Sequence, residues 1–96
     1  MQQTYYVYIL SNKYGMLYVG VTNNLERRID EHKRGIGGAY AQKFRIRRLI
    51  FFEEFQSRQE AIETEKRIKG WTRKKKLDLI RSVNPSFVDL SRDGLD

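Results

Sequence analysis

Arg28 and His32 stand four residues apart in a segment that also holds Leu25 and Ile29. On a helix both polar side chains leave the same face, beside the apolar stripe. An arginine and a histidine in one site can neutralise charge developing on a phosphate while the imidazole accepts or relays a proton near neutral pH. A solvated helix face would carry the same pair. Glu65 is a sharper anomaly. Ala61, Glu65 and Ile68 fall at i, i+4 and i+7, which puts a carboxylate where core periodicity expects an apolar residue. Such a carboxylate either binds a hard cation such as Mg2+, which uses one or two carboxylates and keeps several waters, or forms a structural ion pair with a nearby arginine. Tyr6 and Tyr8 share one face of a strand, and Tyr18 follows Tyr8 by ten residues. Their hydroxyls could meet a phosphate or a nucleophilic water, or the rings could simply pack.

A second constellation lies at residues 66–76, KRIKGWTRKKK. Lys66, Arg67, Lys69, Arg73, Lys74, Lys75 and Lys76 come without a single acidic residue and surround Trp71. Basic side chains with one aromatic offer phosphate contacts and a stacking surface. The alternative for Trp71 is packing beneath a helix junction.

The elements that must position these groups follow from the pattern of residue types. Residues 5–10 form a β-branched and aromatic run, 11–15 a turn, and 17–21 a second short strand, which together predict a hairpin. Asn23 is placed to cap a helix to about Arg34, with Glu26 at its N3 position. Gly35, Gly37 and Gly38 open a mobile loop to about Lys43, a place for substrate to enter. Residues 45–55 read as a central strand closing the sheet, and Ser57 with Glu60 is a capping box for a helix to Lys69 that stops at Gly70. A third helix spans about 72–83, stopped by Asn84 and Pro85; 84–96 is a docked tail that frays. The predicted fold is α+β in the order β-β-α-β-α-α.

Ninety-six residues with 40% apolar content suit one domain, residues 1–96 with a core over about 5–83. Nineteen Lys and Arg against 12 Asp and Glu leave a net charge of +7, which points to a phosphate-rich partner without specifying a sequence. No cysteine is present, so disulfides and thiolate metal sites are excluded. The opening MQQTYYVYIL lacks the features of a signal peptide, and no stretch approaches a membrane span. The expectation is a cytoplasmic protein with no membrane partner.

Taken together, Tyr6-Val7-Tyr8, Tyr18-Val19-Gly20, Arg28, His32 and Glu65, with the E-K-R-I-K-G-W run and the late N-P-S-F-V-D-L, resemble the GIY-YIG nuclease superfamily. The likeness is to small stand-alone, single-domain members related to the N-terminal nuclease domain of the bacterial excinuclease, and it spans residues 5 to about 90. It implies a three-stranded antiparallel sheet flanked by helices, as the residue pattern predicts. It also implies that Tyr8 and Tyr18 are the motif tyrosines, Gly20 the motif glycine, Arg28 the catalytic arginine, Glu65 the metal-binding glutamate and His32 a histidine found in many members. The general base is left between Tyr8 and His32, with Tyr18 orienting. Two positions depart from the pattern: Tyr6 replaces a glycine, and Asn23 stands where several members carry lysine. The implied activity is Mg2+- or Mn2+-dependent endonucleolytic hydrolysis, on DNA ahead of RNA and directed by structure, as in repair or recombination. A protein partner for targeting and a monomer or homodimer both fit. The alternative is a non-catalytic nucleic-acid-binding module of the same fold, and a third reading is a basic protein-interaction adaptor.

Overall fold

The computed structural model describes residues 3–91. Strands β1 (Tyr5–Ser11) and β2 (Leu17–Thr22) form the hairpin, α1 (Leu25–Lys33) and α2 (Ala39–Lys43) follow, and β3 (Arg48–Phe55) completes the sheet. α3 (Arg58–Lys69) and α4 (Arg73–Val83) end the regular structure. The sheet is antiparallel in the order β2-β1-β3. β1 is thus the middle strand, and residues 7–11 are buried on both faces, as a strand covered on both sides must be.

Period-two alternation divides the interior. Val7, Ile9 and Val19 point to one face with Ala61 and Ile68 of α3 and Ile80 of α4. Tyr8 and Leu10 point to the other, with Leu25 and Ile29 of α1 and Ala41 of α2. A register shift between Ile9 and Leu10 skips Ile50 in the pairing with β3, since Ile9 faces Phe51 and Leu10 faces Leu49. The bulge lets the consecutive residues Ile50 and Phe51 both join the α3 side.

Four expectations need correction. Asn24, not Asn23, caps α1: its backbone is extended and its side chain accepts from the Arg27 amide at 3.1 Å. Glu26 therefore falls one place early for a capping box. Residues 35–43 are not all loop: 35–38 connect the helices, but 39–43 form α2, whose Ala41 is buried against Ile46 and Leu49. β3 begins at Arg48 rather than 45, since the chain needs a turn after α2 before it can pair, and it is an edge strand rather than the central one, because β1 lies between it and β2. The tail is docked as far as it is described. Asn84 Nδ2 donates to the carbonyls of Ile50 and Val88, both at 2.9 Å, and the Leu90 amide donates to the Leu49 carbonyl at 2.7 Å. The expected fraying falls largely on residues 92–96, outside the described residues. Ser57 caps α3 through the Glu60 amide as predicted, and Thr72 caps α4 through the Lys75 amide.

Candidate active site

On the α1 face of the hairpin four side chains meet. Tyr8 comes from the middle strand and Tyr18 from its neighbour, with ring centroids 6.3 Å apart. α1 brings His32 onto both: its ring lies 5.9 Å from Tyr8 and 5.3 Å from Tyr18. The Tyr8 hydroxyl is 3.3 Å from His32 Nε2. Because Arg28 is one turn before His32 on the same face, its guanidinium lies against the Tyr8 phenol. The helical spacing that predicts a shared site is therefore realised, and His32 is buried rather than on a solvated face.

Gly20 makes this possible. It pairs across from Tyr8, and a Cβ there would overlap the Tyr8 ring and hydroxyl. The motif glycine is thus the floor on which the phenol lies. Three further residues belong to the site and carry no signal in the sequence strong enough to single them out. Gly37 closes over the imidazole, where a Cβ would fall 2.5 Å from His32 Nδ1. Gly38, at φ 137 and so in a region side chains avoid, passes beside the Tyr18 hydroxyl. Glu31 accepts from Arg28 Nη1 at 3.0 Å and orients it. The glycine run just after His32 and the i, i+3 spacing of Arg28 and Glu31 are the faint traces they leave.

Burial sets the protonation states. It pushes the Tyr8 phenol up to about 12, only partly offset by the Arg28 guanidinium. It pulls His32 down to about 4, with the Arg28 charge acting in the same direction. At neutral pH both are uncharged, and moving a proton from Tyr8 to His32 in the resting site is uphill. Arg28 is the cation of the cluster. Its Nε is buried and finds no hydrogen-bond partner among the described residues, a donor an anionic ligand would satisfy.

Glu65 reaches the same region from the opposite face of the sheet. It is buried as the periodicity anomaly implied, and its charge acts on the Tyr8 phenol. Its Oε2 pairs with Lys69 Nζ at 2.7 Å, so the ion-pair partner is a lysine one turn along the helix and not an arginine. Among the described residues no three or more His, Cys, Asp or Glu side chains converge. A lone carboxylate does not make a protein cage, but it fits a hydrated hard cation shared with a phosphate.

The basic run is divided. Lys69 serves Glu65, and Lys74 pairs with Asp78 at 3.0 Å. Arg73 reaches the hairpin turn at Gly15, and Lys66 and Arg67 are exposed on α3. Lys76 is half-buried. Trp71 packs against the α3-side core, and Lys75 Nζ lies 4.4 Å over its ring. Its face is therefore occupied, and the expected stacking surface is not open there.

The sheet, the helices that flank it and the side chains they converge define a small nuclease-type α+β domain. The chain belongs to the GIY-YIG family: it matches the GIY-YIG catalytic domain over residues 4–78. Domains of this family are nuclease-type hydrolases that act on nucleic acid and generally depend on a metal. The chain is 47% identical over 77 residues to a UPF0213 protein of Clostridium perfringens, covering 80% of this chain and 83% of that one. A UPF0213 protein of Bacillus pumilus is 40% identical over 75 residues, 78% of this chain and 76% of the relative. The solution NMR structure of a UPF0213 protein from Bacillus halodurans superposes with a TM-score of 0.60 at 32% identity, covering 94% of this chain and 97% of that one.

Proposed function

We propose that the protein is a divalent-metal-dependent endonuclease that hydrolyses phosphodiester bonds of DNA at a structural feature such as a branch, flap or nick. The observation that carries this reading is the convergence of Tyr8, Tyr18, His32 and Arg28, with Arg28 Nε buried and unpartnered among the described residues. Arg28 binds the non-bridging oxygens of the scissile phosphate and neutralises the charge that grows on them. Glu65 would hold Mg2+ or Mn2+, and a bound cation supplies Lewis-acid stabilisation of charge on phosphate oxygens. His32, neutral at pH 7, presents Nε2 to the Tyr8 hydroxyl and takes the phenol's proton as the phenolic oxygen takes one from the attacking water. Tyr8 is then the group that draws a proton from the attacking water, and Tyr18, packed on the imidazole, orients it. Cytoplasmic location is part of the same proposal; no helix among the described residues is long and apolar enough to cross a membrane.

The test is cleavage of labelled single-stranded, duplex, flapped and four-way DNA with Mg2+ or Mn2+. Glu65→Ala and Arg28→Ala, shown to be folded by circular dichroism, should each lose on the order of a hundredfold in rate or more while keeping DNA binding. A wild type that binds and never cuts would instead establish the non-catalytic binding module.

A further inference from the structure

A basic groove of about 600 Å3 lies beyond the far end of α2 from the tyrosine cluster. The hairpin turn contributes Lys13 and Tyr14, the end of α2 contributes Lys43 and Phe44, and the segment leading into β3 contributes Arg45, Arg47 and Arg48. Among the described residues no acidic side chain lines it. Among the described residues none of these five cations is in an ion pair, unlike Lys69 and Lys74 in the 66–76 run. The aromatics are more exposed than core-packed Trp71: Tyr14 is 77% exposed, Phe44 36%, and Tyr40, whose ring lies 5.0 Å from that of Phe44, 53%; Lys13 Nζ and Lys43 Nζ approach one face of Tyr14 and of Phe44 at 5.2 and 5.4 Å and leave the rest of each exposed surface to a ligand.

The groove is built rather than incidental. Buried Asn12 fastens its two walls: Nδ2 donates to the Phe44 carbonyl at 2.8 Å, and Oδ1 accepts from the Tyr14 and Met16 amides, both at 3.0 Å. α2 ends in a Schellman turn, with the Ile46 amide donating to the Ala41 carbonyl and the Arg45 amide to that of Gln42. Such turns place their left-handed residue at C′, usually glycine. Here it is Arg45, at φ 53. A side chain in that conformation costs stability that glycine would save, and the arginine sets a cation into the groove.

Cations without acidic neighbours select a polyanion, and open rings between them select one with flat bases to stack, above an acidic peptide or a lipid headgroup. We propose that this groove holds the single-stranded arm of the nuclease's DNA substrate. That the ligand is DNA rests on the function proposed above. α2 links the two sites directly: Gly38 at its start passes the Tyr18 hydroxyl, and Phe44 at its end walls the groove. The six residue steps between them span about 9 Å, roughly two to three stacked nucleotides at about 3.4 Å each.

The test measures binding of a fluorescent twelve-residue oligothymidylate and of a blunt duplex of equal length by anisotropy, in EDTA so that no cleavage intervenes. Tyr14→Ala combined with Phe44→Ala should weaken oligothymidylate binding by about tenfold or more and leave the duplex within about twofold of wild type. Arg45→Gly should raise the melting temperature by relieving the left-handed strain, yet weaken oligothymidylate binding and lower its salt dependence by about one phosphate contact. A merely structural Arg45 would not move stability and binding in opposite directions. The proposal is overturned if the variants bind oligothymidylate as wild type does, if duplex binding falls in parallel, or if polyglutamate displaces the oligonucleotide at equal charge concentration. If these binding results hold while wild type cuts no DNA in Mg2+ or Mn2+, the groove stands and the nuclease reading falls.

Discussion

The two faces of the sheet are built from the same strands and differ in what they bury. Against α3 and α4 the hairpin presents Val7, Ile9 and Val19 to an apolar cluster closed by Ala61, Ile68 and Ile80. Against α1 it presents Tyr8, Tyr18 and Gly20, and the helix answers with Arg28 and buried His32. The α3 face is apolar around buried Glu65, whereas the α1 face, beside an apolar cluster of its own made by Leu10, Leu25, Ile29, Ile46 and Leu49, also keeps Tyr8 and His32 uncharged and out of water. Because neighbouring residues of β1 serve opposite faces, the chemistry and the core sit about one residue apart in sequence and can be separated by mutation.

The largest effect expected is on the apolar face. Ile9→Ala should cost about 2–5 kcal/mol in urea denaturation, whereas Tyr8→Phe, one position away, should cost about 1 kcal/mol for its hydrogen bond and abolish cleavage. Equal stability losses would break the division of labour between faces.

Acid should act mainly through the other face. His32 is held near 4 in the folded protein against about 6.5 unfolded, so as pH falls through that interval the unfolded chain binds the proton first. Stability is then lost between about pH 6.5 and 4, by up to about 3 kcal/mol. Urea midpoints measured across this range should show the loss, and His32→Gln should flatten it. Asp89 does not confuse the reading. Its burial would raise its pKa, but Ser91 and Lys33 hold it below the usual 3.8. Its contribution is therefore present above that value and lost only at lower pH.

A smaller effect should follow from Gly37→Ala, whose new Cβ meets His32 Nδ1. Displacing the imidazole should cost about 1–3 kcal/mol and slow cleavage well beyond what that destabilisation explains, measured below the unfolding range. Smallest is the cap of α1: Asn24→Ala should cost about 1 kcal/mol and Asn23→Ala almost nothing, readable as a difference in melting temperature.

Much of this was legible in the amino-acid order because it rests on local rules. The β-branched and aromatic run of residues 5–10, the Ser57 capping box and the i, i+4 spacing of Arg28 and His32 predict strand, helix and shared face from neighbours in the chain. The displaced apolar position at Glu65 likewise marks a buried carboxylate by periodicity alone. Other features depend on groups far apart in sequence. Asn23 and Asn24 are equally good caps by type, and the exit of β2 selects the second. Residues 39–43 become helix because Ala41 finds a hydrophobic seat made by Ile46 and Leu49. Trp71 is covered because α4 places Lys75 over it. Gly37 matters because the chain returns over His32. Residue types and their spacing determined the α+β order, the faces and the set of reactive side chains, since backbone periodicity is a short-range property. Which glycine closes on the imidazole, which way the phenol and imidazole pKa values move, and which cations stay unpaired were decided only by tertiary packing, because desolvation and ion pairing depend on what the folded chain brings near.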